Sequence, residues 1–194
     1  MLEIQHRMQP EIAAYPSVTF YGSALYTAVG RLAEPRSFPY ASRPAPIVFI
    51  NVDDPEKKRG SSFRNRGVNE VLVEGIKNMM SAGDVRPSEI AIISPYVSQV
   101  ELAKERLRAA GIRIGTCVSV DGAQGQEYPI VCLSLVRCNP DGKFGFLSDY
   151  RRLNVAMTRA RRGLMIVGSQ RTLLTRDQNK VWYPFSDTSP QKIG

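Results

Sequence analysis

The sequence is poor in the residues that build several common kinds of site. It contains one histidine, one tryptophan and three cysteines, and none of the cysteines has the C-x-x-C spacing of zinc and redox sites. Cys117, Cys132 and Cys138 are an odd number, and two of them lie inside apparent strands. We therefore expect buried, reduced thiols in preference to a disulfide framework or a zinc ion, and no metal site.

Long apolar runs and a phosphate-binding loop are also missing. No apolar run approaches the roughly 20 residues of a membrane-spanning helix, and the N-terminus lacks a basic segment followed by an apolar one. These absences predict a soluble intracellular protein, cytoplasmic or nuclear, with no membrane partner. The pattern G-x-x-x-x-G-K-[ST] of many NTPases is absent, because Gly142-Lys143 lacks the upstream glycine and the following hydroxyl.

Positive charge is present in excess. The chain has 26 Lys and Arg against 18 Asp and Glu, a formal net charge of +8, which predicts attraction to polyanions such as nucleic acid. Its 194 residues, 43% of them hydrophobic, are enough for one sizeable domain with a closed core. We place that domain at residues 1–176 and expect residues 177–194 to form a tail that either docks or frays.

Apolar strands alternate with amphipathic helices after residue 45. The apolar runs and the helical spacing of apolar residues predict strands over residues 46–52, 90–94, 112–120, 130–136 and 164–168, and helices over residues 69–80 and 97–110. Continuous apolar strands that alternate with helices are typical of a parallel sheet covered on both faces. We therefore predict an α/β fold, a RecA-like parallel sheet sandwiched by helices.

Three polar or proline-rich segments are predicted to be loops. Residues 30–46 suggest an irregular surface excursion, residues 53–67 a charged and mobile loop, and residues 138–148 a turn around Pro140-Asp141-Gly142. Residues 53–56 (DDPE) follow an apolar strand, as a magnesium-binding acid of an NTPase would. Without a phosphate loop, a solvated acidic turn is the favoured interpretation.

Two polar clusters carry most of the functional information. Residues 119–127 (SVDGAQGQE) concentrate hydroxyl, carboxylate, amide and glycine residues in one turn after a β-branched run. Residues 154–161 (NVAMTRAR) place arginines beside apolar residues on a predicted helix, where a guanidinium group could meet a phosphate.

These clusters and two further segments resemble superfamily 1 helicases, in the branch of the nonsense-mediated-decay helicases, senataxin and the NFX-type zinc-finger helicases. The two clusters are similar to motifs V and VI of that family. Residues 5–12 (QHRMQPEI), with 15–17 (YPS) and 20–22 (FYG), are similar to its Q-[YH]-R-M-x-P-x-I segment and FPSxxFY continuation. Residues 92–99 (IISPYVSQ) are similar to its [ST]-P-Y-x-x-Q strand end.

The resemblance implies the C-terminal RecA-like domain of an ATP-dependent helicase that moves 5′ to 3′ along single-stranded RNA or DNA. ATP and Mg²⁺ would be held mainly by an N-terminal RecA-like domain of the same polypeptide, which we expect to precede residue 1. The chain alone is then expected not to hydrolyse ATP. A stand-alone, non-catalytic nucleic-acid-binding module is the alternative, and the intact arginine motif favours the helicase.

The resemblance also assigns a nucleotide site. Arg159 matches the arginine finger of motif VI and Arg7 the arginine of Q-[YH]-R-M, so both are expected to be catalytic by stabilising the γ-phosphate. Gln5, His6 and Glu127 complete the expected ATP-binding set. His6 stands where the family commonly has a tyrosine that stacks on adenine, and Glu127 is expected near the sugar.

Contacts with nucleic acid are expected at two loops. The expected residues are Ser94, Pro95, Tyr96 and Gln99 at a strand-to-helix junction, and Ser119, Asp121 and Gln124 in motif V. Helix capping by Ser94 or Ser98 and a self-bonded loop at Asp121 are the structural alternatives. Residues 62–70 (SFRNRGVNE) resemble the family's S-x-x-N-x-x-E, with either Asn65 or Asn69-Glu70 in register, and receive no catalytic role.

Overall fold

The structure, a computed structural model, describes residues 3–28, 45–83 and 85–175. Its strands and helices are β1 (Ile4–Gln5), α1 (Pro10–Tyr21), β2 (Tyr26–Thr27), β3 (Ile47–Asn51), β4 (Lys57–Arg59), β5 (Ser62–Arg64), α2 (Arg66–Ser81), β6 (Ile90–Ser94), α3 (Val97–Ala109), β7 (Thr116–Ser119), β8 (Tyr128–Ser134), α4 (Tyr150–Met157), β9 (Ala160–Gly168) and α5 (Gln170–Thr175). The tail at 177–194 and most of the excursion at 30–46 lie outside the described residues.

Five strands form the central sheet in the order β3-β9-β8-β6-β7, and every neighbouring pair is parallel. All five therefore end on one side, which we call the carboxyl edge, and begin on the opposite side, the amino edge. The predicted parallel α/β architecture is confirmed. The positions of the five strands agree with the apolar runs of the sequence, although β7 is shorter than the predicted strand at 112–120.

Both faces of the sheet are covered by helices. Successive strand residues point to opposite faces, so Ile93 and Leu133 pack with α1 and α4, whereas Ile92 and Cys132 pack with α2 and α3. Each face therefore has its own apolar core. All three cysteines are free and buried, as expected. Among the described residues, none of the helices combines the length and the apolar character needed to cross a bilayer.

The arginines of the 154–161 cluster do not lie on a helix, contrary to our prediction. Residues 154–157 belong to helix α4, which ends at Met157. Thr158 closes its last turn, with its amide donating to the Asn154 carbonyl at 3.0 Å and its hydroxyl donating to the same carbonyl at 2.8 Å. Ala160 already begins β9. Arg159 is therefore in the turn between α4 and β9, and Arg161 is in the strand.

Residues 53–67 are not the mobile loop that their charge suggested. Strands β4 and β5 pair in an antiparallel hairpin, with Lys58 opposite Phe63. Phe63 contacts the Tyr96 ring edge-on at 5.5 Å between centroids, and the Arg137 guanidinium lies 4.3 Å from the centre of the Phe63 ring. One aromatic side chain thus anchors a segment whose composition is otherwise typical of a solvated loop.

Candidate functional site

Gln5 shapes the backbone at the amino edge. Its Oε1 accepts hydrogen bonds from the amides of Arg7 at 2.8 Å and Met8 at 2.7 Å, while its Nε2 donates to the Met8 carbonyl at 2.8 Å and to Thr27 Oγ1 at 2.6 Å. The amide group therefore satisfies both ends of a tight turn. This turn directs the following arginine towards motifs V and VI.

Arg7 joins three segments that are distant in the sequence. Its Nε donates to Glu127 Oε2 at 2.9 Å and its Nη1 donates to the Thr158 carbonyl at 3.1 Å. Arg161 Nη1 lies 3.5 Å from the other oxygen of the same carboxylate. The Arg7 side chain remains 33% exposed, so a ligand can reach it.

Arg159 is held mainly by neutral oxygens. Its Nε donates to the Val155 carbonyl at 2.9 Å, its Nη1 to the Gln126 carbonyl at 3.0 Å and its Nη2 to Thr158 Oγ1 at 3.2 Å. Burial and, after it, the nearby positive charge of Arg7 lower the pKa of Arg159, while Glu127 opposes the change. The charge is incompletely balanced in the structure, which is a favourable situation for binding an anion.

A cleft of about 290 Å³ opens beside the two arginines. Its walls are formed by Gln5, His6, Arg7, Met8, Tyr21, Leu25, Thr158 and Arg159. His6 is exposed there, and the Tyr21 hydroxyl accepts a hydrogen bond from Asn154 Nδ2 at 2.9 Å. Guanidinium groups next to ring surfaces suit a nucleotide, whose phosphates are anionic and whose base is flat. Tyr21 is a wall residue that was not among the predicted site residues, although it lies in the FYG segment of the resemblance.

The acidic turn after β3 is used within the fold. Asp53 Oδ1 accepts from Ser169 Oγ at 2.7 Å, and Asp54 Oδ2 accepts from the Gly67 amide at 2.9 Å. Glu56 forms a two-point ion pair with Arg137, at 2.9 Å for both contacts, and is only 12% exposed, so the expected solvated turn is wrong for this residue. Over the described ranges, no three His, Cys, Asp or Glu side chains come together as metal ligands would.

At the carboxyl edge, two of the expected nucleic-acid contacts point inward. Ser94 is fully buried, and its hydroxyl donates to the Ser134 carbonyl at 3.1 Å. Gln99, also fully buried, accepts from the Asn65 amide at 2.8 Å and donates to the Asn65 carbonyl at 3.1 Å and to Ser134 Oγ at 3.0 Å. Neither side chain reaches solvent, and neither of them caps α3, whose N-cap residue, Tyr96, makes no capping hydrogen bond with its side chain. Ser94 and Gln99 thus brace β6, β8, α2 and α3 against one another.

Pro95 and Tyr96 are likewise buried at the start of α3. Tyr96 is 8% exposed, and its hydroxyl accepts a hydrogen bond from Arg137 Nη1 at 3.3 Å. Val97, the next residue, is 59% exposed. A ligand at this junction would therefore meet backbone and Val97 before it met the side chains that the motif suggested.

The motif V loop connects the two edges. The hydroxyl of Ser119, at the end of β7, accepts a hydrogen bond from the Gly122 amide at 3.2 Å. The carboxylate of the exposed Asp121 lies 3.6 Å from Arg152 Nε. Gln124 is exposed. The loop then crosses the face of the sheet covered by α1 and α4 and reaches Glu127 at the amino edge. One short segment therefore carries both an expected nucleotide contact and expected nucleic-acid contacts.

Asn65 has a structural role at the start of α2. Its Oδ1 accepts from the Val68 amide at 3.0 Å and caps α2, which is why this helix begins three residues before the predicted start. Its Nδ2 donates to the carbonyls of Asp54 at 2.6 Å and Val136 at 3.1 Å. Asn69 is buried, and neither polar atom of its amide group has a hydrogen-bond partner among the described residues.

The chain matches a known family along most of its length. The sequence pattern of the AAA domain family matches residues 1–171. A regulator of nonsense transcripts 1 homolog from Neurospora crassa is 35% identical over 193 residues, which cover 94% of this chain and 17% of the relative. The ATP-dependent helicase NAM7 of Saccharomyces cerevisiae is 35% identical over 193 residues, covering 93% of the chain and 19% of the relative. The chain thus spans less than a fifth of these curated relatives.

A solved structure shares the fold at low sequence identity. The C-terminal domain of a possible DNA helicase from Lactobacillus plantarum WCFS1 superposes with a TM-score of 0.50 at 15% identity, covering 85% of this chain and 88% of that one.

Proposed function

Because the chain belongs to the AAA domain family, as a C-terminal RecA-like domain of the superfamily 1 helicases, we propose that it supplies the arginine finger of an ATP-driven motor that moves 5′ to 3′ along single-stranded RNA or DNA. The observation that carries this proposal is the position of Arg159, which lies beside Arg7 at an open cleft and hydrogen-bonds to the backbone of the motif V loop.

The nucleotide site is a set of positioned donors. Arg7 and Arg159 offer planar guanidinium groups, and Glu127 fixes the orientation of Arg7 by a hydrogen bond at 2.9 Å. Hydrolysis of ATP spreads negative charge over the phosphoryl oxygens in the transition state, which donors already in place stabilise without reorganisation. Gln5 sets the backbone that carries Arg7, and His6 offers an exposed ring for the base.

Coupling to the strand follows from the motif V loop. Arg159 donates to the carbonyl of Gln126, and the same loop begins at Ser119 on the carboxyl edge. A shift of Arg159 towards an anion would therefore pull on a segment that also carries Asp121 and Gln124. This connection is the means by which we propose that ATP binding alters contacts with a single strand.

The remaining parts of the ATP site are assigned to another domain. We propose that an N-terminal RecA-like domain of the same polypeptide holds the phosphates and most ligands of Mg²⁺. The name of the yeast relative, an ATP-dependent helicase, supports the use of ATP. The isolated chain is then expected to show no ATP turnover, with or without nucleic acid.

The decisive experiment is Arg159→Ala in the full-length protein. ATP turnover should fall about 10³-fold, the usual contribution of an arginine finger. Single-strand affinity should stay within about twofold, and the free energy of unfolding should fall by about 1 kcal/mol, because only polar bonds at a partly exposed turn are lost.

Arg162→Ala is the matched control. Arg162 lies on β9 and faces Glu89 at 3.9 Å, outside the cleft walls, so its loss should leave turnover nearly unchanged. If Arg159→Ala left turnover within about threefold of the parent, Arg159 would not be the finger.

A further inference from the structure

We propose that the β4–β5 hairpin is an additional binding site for the sugar-phosphate backbone of a single-stranded nucleic acid, through Lys57, Arg59 and Arg64. The proposal rests on the proposed function for the nature of the ligand, because the same hairpin on another kind of protein would require another polyanion. Its basis is the charge, anchoring and position of the hairpin.

The hairpin concentrates positive charge that none of the described acidic side chains neutralises. Lys57, Lys58 and Arg59 are consecutive and exposed, and Arg64 is half-buried on the opposite strand. Within residues 3–28, 45–83 and 85–175, none of these four takes part in an ion pair, whereas Arg66, just beyond the hairpin, pairs with Glu70 at 2.8 Å. Four neighbouring cations repel one another, so a bound polyanion would stabilise the hairpin.

The pairing of the two strands arranges these charges in a row. Lys57 is opposite Arg64, and Arg59 is opposite Ser62. Because cross-strand partners and alternate residues share a face, Lys57, Arg59 and Arg64 lie on one face, with Lys57 and Arg59 about 7 Å apart along the strand. Such a row can contact successive phosphates without reading bases.

The hairpin is held rigidly on the domain. Ser62 Oγ accepts the Ser98 amide of α3 at 3.3 Å, and Phe63 contacts both Tyr96 and Arg137. Gly145 closes this anchor from the other side: its φ is +56°, and a Cβ there would collide with Arg137 Nη1. A rigid support lowers the conformational entropy that binding would cost.

Position links the hairpin to the carboxyl edge. Its contacts with Ser98 and Tyr96 set it beside the first turn of α3, where the end of the helix is positively polarised and Val97 is exposed. The motif residues Ser94 and Gln99 are buried there. Exposed phosphate-binding chemistry at this junction is therefore provided by the hairpin instead of by those side chains.

The test uses two triple variants of the full-length protein with equal charge. Lys57→Gln/Arg59→Gln/Arg64→Gln removes the three cations of this face from the hairpin. Lys104→Gln/Arg108→Gln/Arg113→Gln removes three from the groove beside β7, whose cations also lack ion pairs to any described residue. The affinity for a labelled thymidine oligonucleotide is measured across salt concentrations. Thermal unfolding confirms that both variants fold.

The slope of log affinity against log salt distinguishes the outcomes. Three lost phosphate contacts should reduce it by about 2 in the hairpin variant, since each contact on a single strand contributes about 0.7, and the groove variant should change it by less than about 0.5. Equal changes in both variants would mean that only net charge matters, and an unchanged hairpin slope would exclude the contact; either result overturns the proposal. Loss of binding to polyglutamate with unchanged oligonucleotide binding would assign the hairpin to an acidic protein and also overturn it.

These outcomes are separable from the proposed function. If the salt slope of the hairpin variant is unchanged while Arg159→Ala loses its ATP turnover, the hairpin site is overturned and the proposed motor function stands. Conversely, if Arg159→Ala keeps its ATP turnover while only the hairpin variant loses salt slope, Arg159 is not the arginine finger and the hairpin remains a strand-binding site.

Discussion

The two edges of the central sheet show how differently motif residues can be used. At the amino edge, Arg7 and Arg159 line an open cleft, and the carboxylate of Glu127 is accessible. At the carboxyl edge, Ser94 and Gln99 are fully buried and bond only to other parts of the protein. A match to a motif therefore marks a place in the fold, and burial decides whether a side chain there meets a ligand or holds the loop.

Side-chain chemistry explains the difference. A guanidinium group has donors only and carries a permanent charge, so full burial without an acid would be costly. The amide of Gln99 both donates and accepts, so it can replace backbone partners at the ends of two strands and a helix. The hydroxyl of Ser94 has the same dual character. Small neutral groups therefore brace the carboxyl edge, while charged groups stay accessible at the amino edge.

The sharpest test of the amino edge is Arg7→Ala in the full-length protein. If Arg7 stabilises the transition state, ATP turnover should fall about 10³-fold. Arg161→Ala is the comparison, because Arg161 also approaches Glu127, at 3.5 Å, but does not belong to the cleft walls. It should lower turnover by less than about fivefold, as expected for a half-exposed ion pair. Equal losses in the two variants would show that neutralising Glu127 is what matters.

At the carboxyl edge, Gln99→Ala should act on stability. It removes three buried hydrogen bonds and leaves the Asn65 amide without its partner, so the free energy of unfolding should fall by about 2–4 kcal/mol in urea denaturation. Ser98→Ala, at the preceding residue, should change the free energy of unfolding by less than about 0.5 kcal/mol. Strand affinity measured under folding conditions should be unchanged. A loss of affinity at unchanged stability would instead make Gln99 a direct strand contact.

A smaller effect is expected in the loop between the edges. Gln124 is exposed in this loop and is one of the expected strand contacts, so Gln124→Ala should weaken single-strand binding by about threefold, the value of one net hydrogen bond. Gln126→Ala is the control, since its side chain accepts from the Tyr128 hydroxyl at 3.3 Å, at the amino edge. Equal or larger weakening in Gln126→Ala, in a fluorescence titration, would remove the distinction between the two ends of the loop.

The sequence predicted the sheet well because each apolar run is a buried strand whose signal is local. The helix assigned to Arg159 was wrong because α4 ends at Met157 and Ala160 already begins β9, a boundary that apolar spacing does not indicate. The hairpin was missed because its anchor is a contact between Phe63 and Tyr96, which are distant in the sequence.

For the candidate site, too, the sequence predicted some features and missed others. The resemblance grouped Arg7, Glu127 and Arg159, and the structure brings these three together, although their roles stay predictions. It could not indicate that Gln99 and Ser94 turn inward, because a motif does not specify which side of a strand end is closed by a neighbouring helix. Arg152 and Tyr21 were missed because their partners, Asp121 and Asn154, are far away in the chain.

Because both strands of the hairpin are anchored, its tip is a place where the chain can change length. The strand before the tip is fixed by Glu56 to Arg137, and the strand after it by Phe63 and by the Asn65 cap of α2. Residues inserted at Gly60 would lengthen only a loop whose ends are already held, and each doubling of such a loop costs only about 0.6 kcal/mol. The reach of the hairpin can therefore diverge between related proteins while the sheet beneath it stays the same.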